Sequence, residues 1–536
     1  MNNDKNWFHN AVGYQIYPKS FYDSNGDGMG DLKGIIEKLD DLKTLGVDFL
    51  WINPVFKSPQ VDGGYDISDY YAIDERFGEL SDFKALLKKA HQLGMKVITD
   101  LVVNHTSNQH PWFLESQKSK DNPYRDYYLW EDARSNKMPN EWISFFGGSA
   151  WTYDAQTKQA YFHVFGKEQP DLNWKNPKVR KEIYKMVRFW LDLGLDGFRL
   201  DAISHIQKMP WSYKIKSWHG DGPWVPFMNV SGIEQYMKDL KEIFDEYGAL
   251  TVGEASGVRS TQAPDWTDDS GYINMIFELE HNARKANGDG HVYQMKKTLI
   301  RWQKDLLERG WNALYLENHD QARVPDVYGD GSEACAKAFA VAYMLLRGTP
   351  FIYQGQEIGM RNFPFQSVTQ MRSKELIAQY DKWIERGWDK KAALLKMTKN
   401  SREHSRTPMQ WTPEKNAGFS TGTPWMEVNP NYTTINVAAH SELRMLYAQL
   451  IALRHQSSAI SDGAIKFHFE RHLQSFVYER ENYLILVNLG QKKAHLDFET
   501  TSVSTDRNYE HVLGSKARTF RAKMILDAWE YQVFKK

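Results

Sequence analysis

The stretch SDFKALLKKAHQLGMKVITDLVVNH, residues 81 to 105, reads as one complete unit of the fold. Its first part carries apolar residues at helical spacing and stops at Gly94, the residue expected just past a helix C-terminus. Its second part, Lys96 to His105, is β-branched and apolar and closes on polar residues, as a buried strand does where it emerges at an active face. The same succession recurs along the chain. LKGIIEKLDDLKTLG and VRKEIYKMVRFWLDLG are further helices that end in Gly. Candidate strands are Ala11 to Pro18, Asp48 to Val55, Lys96 to His105, Gly197 to Ile203, Ala249 to Ala255, Tyr272 to Leu279, Ala313 to Asp320 and Pro350 to Gln354. Eight strands alternating with helices predict a parallel α/β fold, the (β/α)8 TIM barrel.

Two stretches break the repeat. Thr106 to about Trp174 is rich in Tyr, Trp, Asn and Ser, lacks helix-length periodicity and is expected to be a small inserted domain over the barrel mouth. A second irregular stretch, about Asn362 to Asn431, follows the eighth strand and is too long for a simple loop. From Asp462 onward, FHFERH, QSFVYER and YLILVNLG point to a C-terminal antiparallel β domain. The expected division is barrel over 1–105 and 175–461, insert over 106–174, and β domain over 462–536.

Composition narrows the function. Sixty-seven basic residues against 68 acidic ones give no global field for nucleic acid or an anionic membrane, so a neutral small molecule is the expected partner and a monomer the expected state. Nineteen Trp and 28 Tyr fit an enzyme that stacks sugar rings, and fit a large core equally well. Cys335 stands alone, the start MNNDKNWFHN has no leader pattern, and no long apolar run occurs, which reads as a cytoplasmic protein.

In a barrel the reacting groups collect where strands end. DLVVNH presents Asp100, Asn104 and His105; GFRLDAI presents Arg199 and Asp201; TVGEA presents Glu254; ENHD presents Asn318, His319 and Asp320. One acidic residue at a strand end is ordinarily a cap or a solvated loop. Several at one barrel mouth, with Arg199, His105 and His319 among them, are costly to bury unless the site uses the charges. Paired carboxylates, one ionised and one protonated, are what acetal hydrolysis requires.

These four segments, in this order, resemble the signature regions of glycoside hydrolase family thirteen, the α-amylase superfamily, and QPDLNW at 169 to 174 resembles a fifth region and the oligo-1,6-glucosidase subgroup. The resemblance implies Asp201 as nucleophile, Glu254 as general acid and base, and Asp320 as transition-state stabiliser. It implies that His105 and His319 bind hydroxyls of the glucose being cut, with Arg199 against the nucleophile. PQVDGGYDI resembles the exo-acting members, so Asp62 and Tyr65 would mark the pocket floor and Arg406 of RTPMQW would pair with Asp62 to grip the non-reducing end.

FYDSNGDGMGDLKG offers oxygen ligands at Asp23, Asn25, Asp27 and Asp31 and the Met29 carbonyl, the D-x-N-x-D-G pattern of a calcium loop, without the Glu of a full EF-hand. Related enzymes bind structural Ca2+ at such a loop, and the resemblance implies the same here, with Mg2+ as the alternative ion. Ala202 follows the nucleophile where α-1,6-specific relatives usually carry Val, and Ser256 stands where dextran-type enzymes tend to carry Trp. The resemblance therefore implies an exo-α-glucosidase favouring short α-1,4 substrates such as maltose, with α-1,6 activity besides. Oligo-1,6-glucosidase, dextran glucosidase, trehalose-6-phosphate hydrolase and transglucosylase remain alternatives, and a non-enzymatic amylase-like partner protein is the remotest of them, since the carboxylates of the four segments are all present.

Overall fold

A computed structural model describes residues 6–216, 222–282 and 284–536. Eight parallel strands close the barrel: β1 (Gly13–Ile16), β2 (Phe49–Ile52), β3 (Lys96–Val102), β4 (Gly197–Asp201), β5 (Leu250–Glu254), β6 (Met275–Phe277), β7 (Asn312–Leu314) and β8 (Thr349–Tyr353). Each pairs with its sequence neighbours, and β1 pairs with both β2 and β8 to complete the ring. Most are shorter than their sequence pattern predicts, because the apolar pattern runs on after the neighbouring strand has left the ladder. His105 and Asp320 therefore sit in the loops beyond β3 and β7 rather than on the strands.

The outer ring follows from amphipathic periodicity. Helices α1 (Leu32–Leu45), α2 (Leu80–Gln92), α3 (Pro177–Asp192), α4 (Ile233–Tyr247) and α5 (Val292–Asp305) bury one face against the barrel, as does a late helix at 442–456 that follows β8, whereas α6 (Glu333–Met344) is buried on nearly all sides. Between β5 and β6 the crossover shrinks to one short helix, Ala263–Thr267. Gly46 ends α1 at φ 104°, a conformation that a Cβ would oppose. Inside the ring, Phe49, Trp51, Ile98, Val252, Phe277, Trp311 and Phe351 form a separate apolar cluster, closed below by Phe8, so the barrel is packed and not a pore.

Between β3 and α3, three antiparallel strands at 130–132, 151–154 and 159–162 form a small sheet with its own aromatic core around Trp142, Trp151 and Phe162. After β8 the chain builds two helices that the sequence pattern did not predict, α7 (Lys374–Glu385) and α8 (Lys390–Thr398). Among the described residues of α7 none is fully buried. The C-terminal part is a five-stranded antiparallel sheet with a two-stranded companion. Among the described residues no helix is long and apolar enough to cross a membrane.

Candidate active site

β4 starts at Gly197, where an added Cβ would lie 1.9 Å from the Leu250 carbonyl oxygen, so only glycine lets β4 and β5 run this close. Their register carries Asp201 and Glu254 out together at the ends of adjacent strands. Arg199, on the same strand, is 3% exposed and holds both. One guanidinium nitrogen donates to Asp201 Oδ1 and to Asp100 Oδ1 on β3; the other lies 2.8 Å from Glu254 Oε2. A buried cation bridging three carboxylates has no apolar equivalent, because removing it would leave uncompensated negative charge. Burial drives the Asp201 carboxyl well upward against the pull of Arg199, and the charges of Glu254 and Asp100 add to the rise. Arg199 is therefore the group that favours an ionised Asp201.

Ala202, next in sequence, is buried and left-handed (φ 45°, ψ 31°), and its N–H donates to Glu254 Oε2 at 3.2 Å. The turn after the strand thus ties the backbone beside Asp201 directly to the carboxylate of Glu254.

Asp320 occupies the loop after β7. Burial pushes its carboxyl up, but His319, Arg406 and Arg402 outweigh burial and hold it well below the usual carboxylate range. His319 Nε2 is 3.1 Å from Asp320 Oδ2, while Nδ1 meets Gln15 Nε2 at 2.8 Å, so the ring is held from both edges. It also stacks on Tyr65, centroids 5.3 Å apart. Tyr65 is locked by Asn53, which donates to its hydroxyl at 2.6 Å, and His105 Nε2 lies 3.0 Å from the Tyr65 carbonyl oxygen. Burial lowers the pKa of His105.

The expected pairing of Arg406 with Asp62 is not what forms. Arg406 donates to Asp320 Oδ1 at 2.7 Å and to the His319 carbonyl at 2.9 Å. Arg402, from the same SREHSRTPMQW segment, takes Asp62 at 2.8 Å and reaches Asp320 at 3.4 Å. A short 3-10 turn at Arg402–His404 brings both arginines to one side of the barrel mouth, and Arg402 is the one that reaches across to the loop after β2. The arginine signal was present twice in the sequence, and spacing alone could not assign the partners. Gln169 was missed as a site residue: its Nε2 donates to Asp62 Oδ2 at 3.1 Å and lies 3.1 Å from His105 Nε2, so the first residue of QPDLNW joins the insert to the pocket floor.

Part of this set lines one cavity of about 570 Å3, with Arg199, His319 and Arg406 supporting it from behind. Asp62, Tyr65, His105, Gln169, Asp201, Glu254, Asp320 and Arg402 form its polar part. Phe146 and Phe165 come from the inserted segment, and Ser373, Leu376, Lys396 and Met397 come from α7, α8 and their approach. Charged floor, aromatic faces and an open mouth suit a polyhydroxylated ring held by hydrogen bonds and stacking.

The calcium-type loop stands apart from this cavity. Asn25, Asp27 and Met29 each donate a backbone N–H to the side-chain oxygen two residues earlier, a chain of Asx turns. Asp23 also accepts from Gly26 and Gly28 N–H and from Ser420 Oγ, fastening the loop to the segment after β8. Asp31 caps α1 through Gly34 N–H and accepts from Ser24. Its carboxylate is thus already committed to the helix, and among the described residues no group of three or more His, Cys, Asp or Glu gathers as for a metal.

The chain is similar to known proteins over nearly its whole length. A family model for the α-amylase catalytic domain matches residues 15–463. An oligo-1,6-glucosidase of Parageobacillus thermoglucosidasius is 42% identical, with 99% of each chain covered. An α-glucosidase of Pediococcus pentosaceus is 39% identical, covering 98% of this chain and 99% of its own. Among solved structures, a trehalose-6-phosphate hydrolase of Bacillus licheniformis superposes with a TM-score of 0.94 at 36% identity, covering 98% of this chain and 99% of that one. A trehalulose synthase gives 0.93 at 37%, covering 99% and 100%.

Proposed function

Because the chain belongs to the α-amylase catalytic-domain family and is a glycoside hydrolase, we propose that it works as a retaining exo-α-glucosidase, releasing α-glucose from the non-reducing end of short α-glucosides. The observation that carries this is the placement of the Asp62–Arg402 pair in the same cavity as Asp201 and Glu254. A bidentate-capable cation and a carboxylate beside the reacting pair can grip the hydroxyls of a terminal sugar, and a pocket so occupied admits chain ends.

In the proposed reaction Glu254 gives its proton to the glycosidic oxygen as the bond from that oxygen to the anomeric carbon breaks. Asp201 attacks the same carbon from the opposite face and forms a β-glucosyl ester. The aglycone leaves with the proton. Glu254, now a carboxylate, takes a proton from water, whose oxygen displaces Asp201 and restores the α configuration. Asp320, held ionised by His319, Arg406 and Arg402, balances the positive charge that develops on the ring. Arg199 pulls the nucleophile toward its charged form, and His105, Gln169 and Tyr65 surround the ring being cut.

For linkage we propose a preference for α-1,4 disaccharides and trisaccharides, supported by the small Ala202 beside the scissile bond. The α-1,6 reading is favoured instead by the relatives named oligo-1,6-glucosidase. A phosphorylated substrate is less well served: Arg402 is engaged by Asp62 and Asp320, which leaves Lys396 as the remaining Lys or Arg lining the cavity among the described residues. We further propose that the protein acts as a cytoplasmic monomer, supported by the lone buried Cys335 and the near-balanced charge. We also propose that Ca2+ binds the loop through Asp23, Asn25, Asp27 and the Met29 carbonyl, with Asp31 joining if it leaves its cap. The alternating oxygen side chains support this, and the ion would supply stability rather than chemistry.

The test is a product time course on maltose, isomaltose, sucrose, trehalose-6-phosphate and dextran, with NMR of the anomer first released. α-Glucose should appear first, and Asp201→Asn or Glu254→Gln should lower turnover by several orders of magnitude without unfolding the protein. Initial β-glucose, or near-normal activity in Asp201→Asn, would refute the assignment.

A further inference from the structure

The α7–α8 hairpin does more than border the cavity. Its two helices end and begin around Trp383 and Trp388, whose rings stack with centroids 5.3 Å apart and 19° between planes. Trp388 is 41% exposed. Lys396, on α8, connects this pair to the site: it lines the catalytic cavity, and its Nζ lies 5.0 Å from the Trp388 ring centroid and 5.8 Å from that of Trp383. The aromatic pair is therefore no farther from the cavity than the reach of one lysine side chain. Core packing does not account for it, since no described residue of α7 is fully buried and α8 buries only Ala393, Met397 and Thr398.

We propose that Trp383, Trp388 and Lys396 form a distal subsite for the reducing-end pyranose rings of a linear α-gluco-oligosaccharide. The inference rests on the exo-α-glucosidase reading and deepens it by naming where the rest of a longer substrate lies. With the non-reducing end gripped by Asp62 and Arg402, a longer chain must leave through the open mouth, whose rim includes Leu376, Lys396 and Met397. An indole face matches the apolar C–H face of a pyranose, and an ammonium beside it donates to the ring hydroxyls.

The experiment compares wild type with Trp383→Ala/Trp388→Ala on p-nitrophenyl α-glucoside, the disaccharides maltose and isomaltose, and the corresponding pentasaccharides. Stacking on an aromatic ring is worth roughly two- to tenfold per ring. The double variant should therefore lose about tenfold in kcat/KM on pentasaccharides, chiefly through KM, while the aryl glucoside and disaccharides stay within about twofold. Trp→Phe at both positions should restore most of the loss. An unchanged chain-length profile, or an equal loss on every substrate, would overturn the proposal. If wild type cut no α-glucoside, the α-glucosidase reading itself would fall. Titrating tryptophan fluorescence with maltopentaose, in wild type and in the double variant, then decides the platform alone: saturable quenching confined to wild type supports it, and its absence overturns it.

Discussion

Replacing Ala202 by Val tests the linkage proposal where the structure places the most constraint. The substitution adds two methyl groups to a buried residue between the nucleophile and the acid, whose N–H already donates to Glu254 Oε2. An α-1,6 bond has one more rotatable bond than an α-1,4 bond, so the two aglycones leave the catalytic centre in different directions. Discrimination by one or two methyl groups is worth about 1–3 kcal/mol, or roughly 10–200-fold in kcat/KM. A second cost comes from the backbone, because at φ 45° a β-branched side chain is an outlier. That cost is on the order of 1–2 kcal/mol and falls on both substrates alike. Ala202→Val should thus raise the isomaltose-to-maltose ratio of kcat/KM about tenfold, mainly through lost maltose activity, with a modest fall in Tm. Ala202→Gly separates the two effects: it keeps the N–H, relieves the left-handed strain and removes the methyl, so it should retain turnover and leave the ratio unchanged or shifted toward maltose. Steady-state kinetics on both disaccharides measures the ratio directly. A ratio unchanged within about twofold in Ala202→Val would show that linkage is set elsewhere, by the inserted segment or the α7–α8 hairpin, and would remove the structural reason for favouring α-1,4 bonds.

Arg402→Ala should raise KM for disaccharides at least about tenfold, because it leaves Asp62 without its cation at the terminal-sugar end, whereas Arg406→Met should act mainly on kcat through Asp320. An identical KM and kcat pattern in the two variants would refute the division of labour. Arg406→Met should also move the acid limb of the pH–activity profile to higher pH, since Arg406 is among the groups holding Asp320 below the usual range. The sign for stability is the same: ionised Asp320 contributes above the unfolded carboxylate pKa and loses that contribution as pH falls through its depressed folded value. Thermal melts from neutral to acid pH should accordingly show a smaller acid-induced loss in the variant, and an unshifted limb with unchanged melts would count against the pairing. Chelation should lower Tm by more than it lowers turnover at 25 °C, and a Tm indifferent to millimolar calcium would show that the Asx turns and Ser420 hold the loop without an ion.

The order of DLVVNH, GFRLDAI, TVGEA and ENHD, separated by amphipathic helices, was enough to predict the barrel and to bring Asp100, Asp201, Glu254 and Asp320 to its mouth, because strand periodicity and strand-end polarity are local properties of the chain, while the roles given to these carboxylates came from the family resemblance. Arg199 beside the nucleophile was legible for the same reason, being two residues away on the same side of one strand. Pairing across long sequence separations was not. Arg402 rather than Arg406 meets Asp62 because a single 3-10 turn rotates the two arginines toward different partners, and both lie in a segment with no regular period. Gln169 reaches Asp62 only after the inserted segment folds back over the barrel mouth. The left-handed turn at Ala202 and the commitment of Asp31 to a helix cap likewise depend on where the flanking elements lie in space. Residue type and spacing determine which groups the barrel mouth holds, whereas the rims built by the insert and the α7–α8 hairpin decide which of them touch, because those contacts are set by packing between segments that the chain brings together only once it has folded.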